Sequence, residues 1–244
     1  MILPFWFYLL LLLTALVYSM VGHGGASGYI ALMVLFGLDQ NFIRPAALVL
    51  NIVAASIAFF AFRQRGHFHP RMFMAFAMGS VPAAFLGGGM EFPGFYFRYL
   101  LGCILLIPVL RQLGIFRNIK LSGKWSFNFP SGMSIGAAVG LVSGMIGVGG
   151  GILLSPLLLF LRWTDQKETA ALSAPFIVIN SVAGLAGLTL KGSSFSASIG
   201  YMIPVVIAGA VAGSLTGARR IPNTGLAKVL ALVLSIAALK LFLQ

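Results

Sequence analysis

The chain has 244 residues, of which 59% are hydrophobic and 8% charged, with a mean hydropathy of +1.02. A soluble domain carries about a quarter charged residues, so this composition excludes one and describes a protein that lives in a bilayer. The formal charge of +12 does not point to nucleic acid, because the 16 basic residues sit in short runs between apolar segments, the pattern that marks the cytoplasmic face of a membrane protein.

Eight hydrophobic blocks follow in chain order: 5–38, 43–62, 72–90, 95–111, 131–161, 169–190, 196–218 and 226–243. A bilayer core needs about 20 largely apolar residues per helix, so these blocks account for most of the chain and leave nothing for a soluble catalytic domain. Residues 1–21 have no basic leader and run on into more apolar sequence. They read as a retained membrane segment and not as a cleaved signal. The single cysteine, Cys103, excludes an intramolecular disulfide and offers no thiolate cluster to a metal. No metal or cofactor is expected.

Two blocks, 5–38 and 131–161, are too long for one simple span: the 34 residues of the first would reach about 50 Å as one helix, against a hydrocarbon core of about 30 Å. Each is interrupted near its middle, by Gly22-His23-Gly24-Gly25 and by Gly147-Val148-Gly149-Gly150-Gly151. Aligning Gly22 with Gly147 brings Asp39-Gln40 onto Asp165-Gln166 and Leu50-Asn51 onto Ile179-Asn180. Further on, Gly79, Ala83 and Gly87 fall on Gly209, Gly213 and Gly217, and Arg98 falls on Lys228. This is an internal repeat, with a first half over 1–113, a basic linker over 114–128 and a second half over 129–244.

The basic residues report on the orientation of the halves. If both long blocks are single spans, nine basic residues lie inside: Arg63, Arg65, Arg71, Arg111, Arg117, Lys120, Lys124, Lys191 and Lys240, against seven outside. If each is instead a broken hairpin, the inside gains Arg162, Lys167, Arg219, Arg220 and Lys228 and loses Lys191 and Lys240, giving twelve against four. The positive-inside bias prefers the second arrangement. The expected fold is therefore an all-α polytopic membrane protein of two pseudo-symmetric, inverted halves. Each half has one Gly-broken hairpin or re-entrant segment plus three spanning helices, with both termini outside. Gly132, Gly136, Gly140 and Gly144, and again Gly209, Gly213 and Gly217, recur every four residues. Such ridges let helix backbones approach closely in lipid, and suit either an internal seam or a homodimer contact.

The breaks carry the chemistry. Non-helical backbone at membrane depth is tolerated only where protein buries it or it lines a watery cavity, and the N–H groups that start the second leg of a broken helix attract an anion. The candidate substrate-binding residues are accordingly Gly22, His23, Gly24 and Gly25 at the first break and Gly147, Gly149, Gly150 and Gly151 at the second. Around them stand the neutral polar groups Ser27, Asn51, Ser143, Ser155, Asn180 and Ser181, of which Asn51 and Asn180 occupy corresponding repeat positions. Pro45 and Pro156 are read as helix starts or kinks. All four acidic residues, Asp39, Glu91, Asp165 and Glu168, lie at segment ends, so no carboxylate is placed to bind a cation in the membrane. His23 is the only ionisable candidate at depth, and histidine is the side chain that ordinarily titrates near neutral pH. It is read as a proton acceptor, an anion contact or a neutral packing residue. His67 and His69 belong to a basic, solvated loop, and Arg44, Arg98 and Lys191 are read as outer anchors or anion collectors.

The run Gly144-Met145-Ile146-Gly147-Val148-Gly149-Gly150-Gly151-Ile152-Leu153-Leu154-Ser155-Pro156-Leu157-Leu158, with Gly22-His23-Gly24-Gly25-Ala26-Ser27-Gly28 in the first half, resembles the sulfite exporter TauE/SafE family, also called the four-toluene sulfonate uptake permease (TSUP) transporters. The first half departs from the commoner Gly-rich pattern at His23, Ala26 and Ser27. The resemblance implies a multi-pass secondary transporter of the bacterial inner membrane that moves a small sulfur-containing or organic anion such as sulfite, a sulfonate or sulfoacetate. A potential negative inside drives an anion outward by about 2.3 kcal/mol per charge per 100 mV, which favours export. The alternatives are an anion channel, or a membrane-embedded enzyme or assembly factor. An enzyme calls for a nucleophile and base or a ligand cluster in the apolar segments, which one His and one distant Cys do not supply.

Overall fold

The computed structural model describes residues 3–63, 66–90, 126–192 and 196–226, with 228, 229 and 232. The expected block 95–111, Cys103, Arg98, Glu91, the linker up to 125 and most of 226–243 lie outside the described residues. A backbone in hydrocarbon must satisfy its own hydrogen bonds, and the apolar runs do so as helices. In order these are α1 (Phe5–Met20), α2 (Ala26–Leu35), α3 (Gln40–Arg63), α4 (Pro70–Gly88), α5 (Phe129–Ile146), α6 (Gly151–Phe160), α7 (Gln166–Leu190) and α8 (Ile199–Arg219).

Polar residues at the segment ends fix where helices begin. Asn128 accepts the Ser131 N–H at the start of α5. Asp165 and Glu168 form a reciprocal capping box on α7, each side chain accepting the other's backbone N–H at 2.8 Å, an arrangement that satisfies two otherwise orphaned donors. Asp39 accepts the Asn41 N–H at 2.7 Å. The described carboxylates thus serve as helix caps. Glu168 also meets His69 at 2.9 Å, which ties the α3–α4 loop to the start of α7. Pro45 and Pro156 lie inside α3 and α6 and not at their starts.

Among the described residues, four helices are long and apolar enough to cross a bilayer: 41–63, 129–146, 166–190 and 199–219. α1, α2 and α6, with 16, 10 and 10 residues, are about 24, 15 and 15 Å long, too short to cross alone. They are legs of two hairpins. In the first, the ring of Phe36, just after α2, meets that of Phe7 near the start of α1 at 5.3 Å between centroids. Gly28 of α2 lies against Thr14 and Tyr18 of α1. In the second, Trp163, beyond α6, meets Phe127, before α5, also at 5.3 Å. Each long hydrophobic block therefore turns at its glycines and comes back beside its own beginning.

The glycine ridges pack these hairpins onto full-length helices. Gly136, Gly140 and Gly144 of α5 rest on the backbone of Phe76, Ser80 and Ala84 of α4, while Gly79 and Gly87 of α4 rest on Met133 and Leu141 of α5. Residue numbers rise together along this seam, so α4 and α5 point the same way. Gly209, Gly213 and Gly217 of α8 lie likewise on Leu12, Leu16 and Met20 of α1. Both ridges are used inside a single chain. Close backbone approach replaces the hydrophobic driving force that lipid cannot supply.

A Cβ at Gly140 would press into the Ser80 backbone, whereas one at Gly200 meets nothing within 4 Å. Gly140→Leu is expected to lower the melting temperature in detergent, with an overpacking cost of about 1–3 kcal/mol or more, while Gly200→Ala leaves it unchanged. Thermal unfolding followed by fluorescence-detected size-exclusion chromatography checks both.

Candidate functional site

Each break begins as a helix C-cap that needs a left-handed residue. At the first, Gly22 (φ +76°) donates to Ser19 O at 3.2 Å and His23 N–H donates to Tyr18 O at 3.0 Å, the paired bonds of a Schellman cap. At the second, Gly147 (φ +83°) and Val148 both donate to Ser143 O, at 2.8 and 3.3 Å. An L side chain is costly in that conformation, which is why both caps are glycine. A few residues later the chain enters α2 or α6, whose N-termini, the positive ends of their dipoles, open at the two tips.

The tips meet, and one amide joins them. Asn51, in the middle of α3 and 1% exposed, accepts the Ala26 N–H at 3.2 Å and so caps α2 from another helix. Its Nδ2 donates to Val148 O at 3.3 Å in the second break and to Ser181 Oγ at 3.1 Å on α7. A Cβ at Gly24 would collide with the Asn51 side chain, and one at Gly149 would enter the space between Asn51 and Ser181. Close approach requires glycine at both, and at Gly149 the left-handed φ of +69° requires it as well.

His23 reaches across in the other direction. Its Nδ1 lies 3.2 Å from Val21 O, and its Nε2 lies 3.2 Å from Gly151 O and 3.1 Å from Ser155 Oγ. Ser155 in turn meets Ser173 of α7 at 2.8 Å. Ser27 donates to the Tyr18 hydroxyl at 3.0 Å. Between the tips is a cavity lined by Tyr18, His23, Gly24, Gly25, Ser27, Asn51, Val148, Ile152 and Ile177, with free space of about 10 Å³, room for about one water.

Of the thirteen residues expected from sequence, the structure therefore brings Gly24, Asn51, Gly149 and Ser181 together at one contact, and His23, Gly151 and Ser155 at the next. Gly25 and Ser27 line the cavity. Gly22 packs on Ala170 of α7, Gly150 on Phe176 and Ser143, and Gly147 against the Arg44 stem. Asn180 does not mirror Asn51. Its Nδ2 turns back to Phe176 O on its own helix at 2.7 Å and its Oδ1 is buried without a hydrogen-bond partner, because the corresponding N-terminus of α6 begins at Gly151, packed beneath Ile177.

Three participants escaped the sequence reading. Tyr18 sits on the opposite leg of the hairpin from Ser27, and Ser173 lies seven residues, two helical turns, before Asn180 and so on its face. Arg44, expected as an outer anchor, instead sends Nη2 to Gly87 O, Gly88 O and Gly144 O at 3.4, 3.1 and 2.8 Å. It clamps the C-terminal ends of α4 and α5, where carbonyl dipoles favour a cation. Among the described residues no cluster of three His, Cys, Asp or Glu could hold a metal.

Apolar helices, glycine seams and paired broken hairpins define a polytopic helical membrane protein with a polar centre. The profile of the sulfite exporter TauE/SafE family matches residues 7–241, and the chain belongs to that family: it is a multi-pass membrane transporter and not an enzyme. It is 33% identical over 233 residues, 93% of both chains, to the probable membrane transporter protein y4hK of Sinorhizobium fredii (strain NBRC 101917 / NGR234). No solved structure gives a significant match.

Asn51→Leu leaves the Ala26 N–H and the Val148 carbonyl without their partner, and is expected to destabilise the protein by about 1–3 kcal/mol. Asn180→Leu, which removes an amide whose oxygen has no partner, is expected to cost far less. Melting temperatures of the two variants, compared in the same detergent, check the ranking.

Proposed function

We propose that this transporter carries a small sulfur-containing or organic anion, such as sulfite, a sulfonate or sulfoacetate, out of a bacterial cell across the inner membrane. The anion is held between the two hairpin tips, by Gly22 to Gly25, Ser27 and Asn51 from the first half and Gly147, Gly149 to Gly151, Ser155, Asn180 and Ser181 from the second. The observation that carries this reading is the meeting of the two hairpin tips at Asn51, which caps the N-terminus of α2 and donates to Val148 O in the break that leads into α6. Two positive dipole ends with neutral donors and no nearby described carboxylate suit an anion. The family supports transport, and a potential negative inside supports export.

Helix directions support inverted repeats over 1–113 and 129–244, joined by the linker 114–128. α3 starts at the face where the first hairpin begins and ends, and the short loop to α4 sends α4 back toward it. Since α5 runs with α4, the second hairpin enters from the face opposite the first. Rocking of such halves about a central site is the usual route of alternating access. The small size of the cavity favours this over a channel, because an oxyanion of several heavy atoms exceeds the space for about one water and enters only when the tips part.

Purified protein in proteoliposomes, given radiolabelled sulfite, taurine and sulfoacetate with membrane potential and pH gradient imposed separately, is expected to show saturable flux of at least one anion. Gly149→Leu and Gly150→Leu are expected to abolish it with insertion intact. Unaltered flux in those variants would remove the site assignment, and linear, unsaturable flux would return the channel reading. For the topology, cysteines introduced at positions 116 and 224 should label from the same face. Labelling from opposite faces would restore parallel halves.

A further inference from the structure

His23 is built to exist in two protonation states. Both ring nitrogens face backbone carbonyl oxygens, Val21 O and Gly151 O, each at 3.2 Å, and a carbonyl only accepts, so a ring nitrogen bonded to one carries a proton. The doubly protonated ring therefore has a partner for each proton. In the neutral Nδ1–H form, Nδ1–H donates to Val21 O, Nε2 accepts from the Ser155 hydroxyl at 3.1 Å and gives up its bond to Gly151 O, and Ser155 accepts from Ser173 at 2.8 Å. Passage between the two forms needs only that the hydroxyls reverse.

Those hydroxyls continue in one direction. Ser173 is one turn from Thr169 on α7, the spacing at which helix side chains are neighbours, and Thr169 Oγ1 meets Thr164 Oγ1 at 2.7 Å. Ser155, Ser173, Thr169 and Thr164 are all buried, but Thr164 belongs to the α6–α7 loop between the exposed Arg162 and Asp165. Two hydrogen-bonded pairs, Ser155–Ser173 and Thr169–Thr164, one helical turn apart on α7, thus lead from the hairpin tips toward the α6–α7 loop. The other titratable side chains at the tips are Tyr18 of α1 and Tyr29 of α2. α3 contributes Asn51, with Arg44 two turns away on the α4 and α5 carbonyls. The described parts of α6 and α7 that face the ring offer hydroxyls and carbonyls only.

We propose that His23 carries a proton with the transported anion, and that Ser155, Ser173, Thr169 and Thr164 deliver it from the face at the α6–α7 loop. The Ser155 proton passes to Nε2, Ser173 re-protonates Ser155, Thr169 re-protonates Ser173 when their hydroxyls rotate together, and Thr164 re-protonates Thr169 with the one net proton taken from hydronium in the aqueous phase at the loop. The imidazolium so formed faces the cavity beside both breaks, and supplies the positive charge that the neutral donors lack. A buried cation without a counter-ion is costly, so proton and anion each raise the affinity for the other, reciprocally. One proton cancels one negative charge, so a dianion still moves outward with the potential while a monoanion becomes indifferent to it. This inference rests on the proposed anion site for its transport consequence, but the histidine chemistry is independent of it.

The test has two arms. In full-length protein labelled with ¹⁵N-histidine in nanodiscs, the resonance lost in His23→Gln is expected to report an Nδ1–H neutral ring at about pH 8 and, with sulfoacetate added, to take up a second proton at higher pH than without it. An Nε2–H neutral ring, or a titration that sulfoacetate does not move, overturns the proposal. In proteoliposomes loaded with a pH dye, sulfoacetate flux is expected to move about one proton per anion, a ratio that falls toward zero in His23→Gln and Ser155→Ala and is recovered in Ser155→Thr. Flux with no proton movement in the unaltered protein overturns the proposal and leaves the anion carrier standing. If none of the three anions moves, the transport reading fails, and the neutral ring form still decides the proton site.

Discussion

The structure depends on what happens to backbone polar groups where a helix is broken inside a membrane. Lipid offers them no partner, so each broken hairpin must find its partners within the protein. Schellman-type caps absorb the carbonyls at the ends of α1 and α5, and Asn51 serves the opposite need by accepting the first N–H of α2 while donating into the second break. One amide on a full-length helix therefore fixes two hairpin tips relative to each other. The remaining architecture holds the tips at that meeting point: the seams of α5 on α4 and α1 on α8 bring backbones into contact through glycine, and Arg44 gathers the carbonyls where α4 and α5 end.

The same constraint gives the site its chemistry. A helix that restarts at membrane depth presents donors and a positive dipole end, and two restarts face one small cavity whose polar lining is hydroxyl, amide and imidazole. Tyr29, Ser143 and Asn180 each bury a polar oxygen with no hydrogen-bond partner close to these breaks, an uncommon cost in a native interior. The described carboxylates are committed elsewhere, Asp165 and Glu168 to the start of α7 and Asp39 to the turn before α3.

Much of this was legible in the sequence because it is written in local pattern. Two glycine runs in blocks too long to span mark the breaks, and four-residue glycine spacing marks the seams. The repeat drew attention to Asn51 and Asn180 together, yet only Asn51 bridges the tips. Equivalence in sequence does not impose equal contacts when one partner site starts at Ala26 and the other at Gly151. Ser173 and Tyr18 were invisible as partners of Ser155 and Ser27, since the pairing depends on which helix faces which after folding. Arg44 looked like an interfacial anchor because sequence shows its charge but not the three carbonyls that the ends of α4 and α5 assemble around it. His69 stays exposed in its loop, as expected, but its contact with Glu168, 99 positions away, was not legible.

The central claim is that the tips must separate for an anion to pass. Ala26 and Val148, both hydrogen-bonded to Asn51 through their backbones, can be replaced by cysteines in a Cys103→Ser background and joined by a short, reducible crosslinker. Sulfoacetate or sulfite flux in proteoliposomes that disappears on crosslinking and returns on reduction is the expected result. Undiminished flux through the crosslinked protein would contradict a site between the tips.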